Sequence, residues 1–210
     1  GINKENLRYR DHAKEELSFY SKATTDIEYK FPMGWGELWG IADRTDYDLS
    51  THMEHSKTDL SYLDPETNEK YVPYVIEPSV GLDRLIYAVL TDAYTTETLD
   101  NGEERQVLKL HPALSPIKAT ILPLIKKNHS EKAMDIYATL CAYFMCSVDS
   151  SGSIGKRYRR CDAVGTPLCI TVDDETINND TVTVRLRDNM EQVVVKVADL
   201  KDYINEYIKF

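Results

Sequence analysis

The segment that most constrains this chain is Glu77-Pro78-Ser79-Val80-Gly81-Leu82-Asp83-Arg84-Leu85, because two hydrophobic periods meet across it. Before it, Tyr71 to Ile76 alternates as a strand does and is rich in β-branched and aromatic residues. After it, Leu82, Leu85, Ile86, Val89, Leu90 and Ala93 recur at spacings of three and four, which a helix gathers onto one face. Pro73 argues against pairing on both sides of that strand. Pro78 pushes Glu77 toward extended geometry and is expected to end the strand, and Gly81 lets another backbone approach closely. A strand must therefore feed a helix through a corner that carries a carboxylate, a hydroxyl and a guanidinium. Glu77 can hold an ammonium group. Arg84, one turn into the helix, can hold phosphate oxygens and stack on a flat base. A plain junction with solvated charges would use the same residues, so the corner by itself leaves both readings open.

The remainder falls into two differently patterned parts. In the first, Glu5 to Ser21 reads as a charged amphipathic helix with Leu7, Ala13, Leu17 and Tyr20 inward. Asp26 to Phe31 and Glu37 to Asp43 read as strands, and Tyr47 to Leu60 as a helix with Asp46 as its N-cap. Leu60 to Leu63 and Lys70 to Glu77 suggest a hairpin around Asp64-Pro65-Glu66-Thr67-Asn68-Glu69. Antiparallel strands with helices on one face make an α+β pattern. Thr95 to Gln106 is polar and acidic, with Asn101-Gly102 at its centre, and reads as a linker. Beyond it come a strand at Ala119 to Leu124, helices at Ser130 to Val148 and Gly155 to Val164, strands at Pro167 to Val172, Thr181 to Leu186 and Gln192 to Val197, and a closing helix from Asp199 to Ile208. That order predicts an α/β sandwich with a mixed sheet.

Charge supports the division. Residues 1–100 hold 10 Lys and Arg against 20 Asp and Glu, whereas residues 101–210 hold 15 of each. An acidic first part suits a site for an ammonium group and repels nucleic-acid phosphates, so RNA contact is expected in the second part, through a local basic patch. Lys156, Arg157, Arg159 and Arg160 are that patch, with Tyr158 among them to stack on an unpaired base. An ion-paired helix surface would look the same in sequence. Cys141, Cys146, Cys161 and Cys169 form no Cys-x-x-Cys pair, and Cys141 and Cys146, in an apolar helical run, read as reduced core residues. His52 and His55 lack a third ligand and read as helix surface, so no metal site built from protein groups alone is expected. No apolar stretch is long enough to span a bilayer and there is no signal-peptide pattern, so no membrane role and a cytoplasmic location are expected.

Four segments in order carry a resemblance. They are Phe31 to Leu49, which contains Glu37-Leu38-Trp39-Gly40; the corner at Glu77 to Leu85; His111-Pro112-Ala113-Leu114-Ser115-Pro116; and Gly152 to Arg160. Together they resemble glycyl-tRNA synthetases of the homodimeric type, class II aminoacyl-tRNA synthetases, and the corner looks like that class's third signature motif. The resemblance covers nearly the whole chain. It implies the end of an antiparallel-sheet catalytic domain over residues 1–98, a linker at 99–106, and an α/β anticodon-binding domain with a mixed sheet over 107–210. It assigns glycine to Glu77, Pro78, Ser79, Val80 and Gly81. ATP falls to Glu37, Leu38, Gly81, Leu82, Asp83 and Arg84, with Mg²⁺ reached through Glu37. Asp43, Arg44, Asp46 and Asp48 form a dense charged run in which Arg44 is expected to bridge carboxylates in a structural role.

The class's first and second motifs are not found before Glu37, and the chain begins with Gly1. The expectation is a C-terminal portion of a homodimeric enzyme that joins glycine to tRNA(Gly) and that cannot do so alone. The rival readings are a non-catalytic synthetase-like paralogue and a plain RNA-binding module.

Overall fold

Leu7-Arg8-Tyr9-Arg10-Asp11 alternates with a period of two. In the computed structural model, which describes all of residues 1–210, it is a strand, β1 (Leu7–Asp11), rather than part of the helix expected over Glu5 to Ser21. Only short 3₁₀ turns, Lys4–Asn6 and Lys14–Glu16, flank it. The reason is cross-strand charge. β1 pairs antiparallel with β2 (Ala23–Phe31), which sets Arg8 opposite Glu28 and Arg10 opposite Asp26. Charges that a surface helix would leave in solvent are here partnered across a ladder.

Two compact units divide the chain at Asp92/Ala93. In the first, β2 continues through a turn into β3 (Gly34–Asp43), which is followed by α1 (Tyr47–Ser56). That helix stops short of Leu60 because Lys57 takes a left-handed conformation, φ 59°, and its N–H bonds the Met53 carbonyl. The expected long hairpin shrinks to β4 (Tyr62–Leu63) and β5 (Lys70–Tyr71). The corner itself becomes β6 (Ile76–Val80), which leads directly into α2 (Leu82–Ala93).

Pro78 therefore sits inside a strand instead of ending one. β6 is the edge of an antiparallel sheet of order β1-β2-β3-β6, where a missing N–H leaves no ladder bond unmade. One face of that sheet is apolar: Tyr29, Phe31 and Leu38 pack with Ala88 and Leu85 of α2. The Tyr29 hydroxyl bonds Asp92, and burial together with that charge pushes the phenol up to about 12.

The second unit opens with β7 (Tyr94–Thr98) and β8 (Glu104–Leu108), an antiparallel hairpin where the sequence suggested a linker. Its inward residues are Val107, which is buried, and Arg105, which bonds Asp162 and Glu97. Polar composition misled here, because the buried arginine has its counter-charge far away in sequence.

The mixed sheet then forms from β9 (Ala119–Pro123), β10 (Cys146–Val148), β11 (Leu168–Val172), β12 (Thr181–Leu186) and β13 (Gln192–Lys196), in the order β10-β9-β11-β12-β13. β10-β9-β11 run parallel and β11-β12-β13 antiparallel. α3 (Lys126–Cys141) and α6 (Leu200–Tyr207) cover one face through Ala133, Ile136, Leu140, Leu200 and Ile204. α4 (Ile154–Ala163) covers the other through Cys161, which meets Leu122 and Cys169.

The helix expected over Ser130 to Val148 begins earlier and ends earlier, at Lys126 and Cys141, and Cys146 to Val148 pairs with β9. α5 (Asp174–Asn179), capped by the Asp173 side chain, was not expected at all. No helix is long and apolar enough to cross a membrane.

Candidate functional site

Strand register builds the site on the polar face of the first sheet. Arg10 lies opposite Asp26, Asp26 opposite Gly40, and Gly40 opposite Ser79; one step along, Arg8 faces Glu28 and Glu28 faces Glu37. Because side chains alternate, Ser79 and Glu77 point to this face, while Pro78 and Val80 point away and can offer only backbone here. A bulge between Ile27 and Glu28 shifts the β2–β3 register, so Glu37 emerges on the polar face while Leu38 remains in the apolar core. Leu38 can therefore contribute only main-chain atoms.

The face is held by charge-assisted bonds. Asp26, buried, accepts from His12 Nε2 at 2.7 Å, with Arg10 at 3.7 Å. Glu28, also buried, accepts from Arg8 Nε at 2.5 Å, and the Arg8 guanidinium lies 4.4 Å from the centre of the Trp35 ring. Gly40 keeps the floor open. A Cβ there would lie 3.1 Å from Glu37 Oε1 and 3.6 Å from Asp26 Oδ1.

The start of α2 closes one side. Arg84 donates from Nη1 to the Glu37 carbonyl at 2.8 Å, which ties the helix to β3 and leaves Nη2 and Nε uncommitted. Asp83 and Leu82 are exposed beside it, and Gly81 is exposed at the turn. Glu77 accepts from Arg44 Nη1 at 2.8 Å, and Arg44 also holds both carboxylate oxygens of Asp48, at 2.5 and 2.9 Å. These bonds, that to Asp48 foremost, raise Arg44 above its ordinary value and lower Asp48. The arrangement presents carboxylates, a hydroxyl and an arginine over an open glycine floor. Such a surface suits a small zwitterion beside a polyphosphate.

Arg8, Arg10, His12, Asp26 and Glu28 were missed as members of this face. The signal was present in the two-residue alternation of Leu7 to Asp11, but a helix reading of that segment scatters the same charges around a cylinder.

In the second unit the basic run is split by its own helix. Arg157 is buried, donating to the Gly152 carbonyl and, at 2.7 Å, to that of Pro123. Tyr158 bonds Thr171 at 2.8 Å and lies under the Arg185 guanidinium, and burial raises its phenol. Both are withdrawn from the surface expected to meet RNA. Lys156, Arg159 and Arg160 face solvent, Arg159 paired with Glu103 and Arg160 with Asp149. The helical spacing that made the run look like one patch turns two adjacent members, Arg157 and Tyr158, inward. His52 and His55 are exposed on α1.

Residues 118–207 match the family model described as the anticodon binding domain. Over 209 residues the chain is 63% identical to the glycine–tRNA ligase of Clostridium acetobutylicum, covering 100% of this chain and 45% of that protein. The glycine–tRNA ligase of Clostridium perfringens is 61% identical over 214 residues, and that of Bacillus cereus 57% over 210. The chain thus spans less than half the length of the curated relatives it matches. Among solved structures, a prolyl-tRNA synthetase from Cryptosporidium parvum, complexed with L-proline and AMP, superposes with a TM-score of 0.66 at 17% identity. It covers 98% of this chain and 43% of that one, a likeness of fold.

Proposed function

We propose that this chain belongs to the glycine–tRNA ligase family and is the C-terminal part of an enzyme that activates glycine with ATP and passes the glycyl group to tRNA(Gly). The observation that carries the reading is identity of 57–63% to relatives of that name, running unbroken through both units. The polar face of the first sheet supports it chemically.

In this reading Glu77 binds the glycine ammonium and Ser79 bonds the substrate beside it. In this reading selection is by exclusion: a pocket packed to leave no room for a side chain rejects every larger amino acid sterically. Pro78, Val80 and Gly81 contribute backbone. Arg84 and the Glu37–Leu38 strand hold the nucleotide, with Gly81, Leu82 and Asp83 forming the turn beside it. Mg²⁺ would arrive with the triphosphate. Glu37 offers a carboxylate at the mouth, and an ion held mostly by phosphate and water needs few protein ligands. The glycine carboxylate attacks the α-phosphate in line and pyrophosphate leaves. The tRNA 3′-terminal ribose hydroxyl then takes the glycyl group. Positioning and charge neutralisation carry both steps, and no side-chain nucleophile is needed.

The arginine that grips the α-phosphate is assigned to the portion of the relatives' length that this chain does not span. The 210-residue chain is therefore expected to show no glycine-dependent ATP–pyrophosphate exchange, while the longer polypeptide does. Exchange by the 210-residue chain alone, or exchange by the longer one driven by an amino acid other than glycine, overturns the reading. The second unit, through Lys156, Arg159 and Arg160, would contact tRNA, and the complete enzyme would act in the cytoplasm as a homodimer.

A further inference from the structure

We propose that Arg44 is a positioning residue for glycine: it fixes one oxygen of Glu77 so that the other faces the substrate ammonium. The inference rests on the reading of Glu77 given above. Arg44 is itself held independently of Glu77. Asp48 takes its Nε and Nη2 in a two-pronged pair, the Tyr20 ring lies 4.1 Å from its guanidinium carbon, and its backbone N–H bonds the Val75 carbonyl at 2.9 Å. Only Nη1 is left, and it points at Glu77 Oε2.

The backbone around it is shaped for that aim. Thr45, a β-branched residue, sits at φ 55°, a conformation that costs energy and persists only when its surroundings impose it. Here Thr45 N–H bonds the Asp43 side chain at 3.0 Å, and its carbonyl accepts from Val75 N–H at 2.8 Å. The turn after β3 is thereby stapled to the segment that becomes β6, so Arg44 and Glu77 are carried on one frame.

Glu77, by contrast, has a half-exposed side chain and accepts a side-chain bond from Arg44 alone. Without that bond, three rotatable torsions would spread the carboxylate over several rotamers, and binding would have to order it. Charge also favours this role. Asp48, Arg44 and Glu77 together carry one net negative charge. Asp48 neutralises the arginine, so Glu77 keeps its attraction for a cation. An arginine placed only to stabilise the sheet would have no need of a second carboxylate to cancel it.

The test is glycine-dependent ATP–pyrophosphate exchange in the longer polypeptide, with R44A, R44K and E77Q. Thermal unfolding of each variant shows whether it folds. R44A is expected to raise the KM for glycine about ten-fold or more with the KM for ATP within about two-fold, and R44K to recover part of the loss through a single bond. If R44A does not fold, the comparison of R44K with the parent carries the same expectation at smaller size. Parallel rises in both KM values in a folded variant mean a merely structural arginine and overturn the inference. So does an unchanged glycine KM in R44A or R44K while E77Q raises it. If E77Q leaves the glycine KM unchanged, the assignment of Glu77 fails first, and the role of Arg44 with it.

Discussion

Asp162 is the most demanding single residue in the second unit, and its replacement by alanine gives the sharpest prediction. Its side chain is 1% exposed. It accepts from Arg105 Nε at 2.9 Å and from Arg185 Nη1 and Nη2 at 2.9 and 3.1 Å, and both arginines are themselves buried. Arg105 keeps Glu97 as a second carboxylate, but Arg185 has none among its ion pairs. D162A would leave at least one guanidinium in the interior without a counter-charge. Removing one partner from a buried pair costs roughly 3–5 kcal/mol, most of it the desolvation of the charge left behind.

Native-state amide exchange in β9 and β11 should read this directly, since central strands open only with the whole unit. Trp35 and Trp39 both lie in the first unit, so tryptophan fluorescence gives an internal control that should not move. D162A is expected to lower the opening free energy of β9 and β11 by about 3–5 kcal/mol. The triple variant R105M/D162L/R185M, with no charge left to strand, should recover most of it. A change below about 1 kcal/mol in D162A, the size of an exposed pair, would refute the reasoning that this cluster anchors the β7–β8 hairpin to the rest of the second unit.

Three further outcomes follow from named contacts. G40A places a methyl 3.1 Å from Glu37 Oε1 and forces that carboxylate aside; pyrophosphate exchange in the longer polypeptide should fall about ten-fold or more with the fold retained, and unchanged kinetics would remove Gly40 from the floor. Charge reversal at Lys156, Arg159 and Arg160 should weaken tRNA binding and flatten its salt dependence by about one unit of slope per lost phosphate contact, measured by filter binding, whereas R157A should act through unfolding instead. Glu97 is held below its ordinary value of 4.5 chiefly by its bond to Lys109, so the folded state binds this proton less readily than the unfolded chain. The stability it confers is full above pH 4.5 and is lost as pH falls through its lower folded value. The difference in melting temperature between the parent and E97Q should therefore shrink below about pH 4.5, and a gap that stays constant to pH 3 would contradict the assignment.

Much of this architecture was legible in the order of residues. The helix after the corner, the strands at Thr181 to Leu186 and Gln192 to Lys196, and α4 all follow from hydrophobic period, because a buried face must repeat at the spacing of its own element. Glu77, Ser79 and Arg84 could be singled out by residue type at the strand-to-helix corner, and Glu37 through the family resemblance. Local pattern could not say which distant group each charge would meet. Arg8 and Arg10 looked like the solvent face of a helix until Glu28 and Asp26, twenty and sixteen positions further along the chain, claimed them across the ladder. Arg105 looked like linker, and Arg157 like part of a surface patch, until Asp162 and the Pro123 carbonyl took them inside. A buried face repeats at the spacing of its own element, so sequence alone determined the elements whose period is long and clear. Pairing a charge depends on what register and packing bring within about 3 Å, and only the tertiary structure decided that.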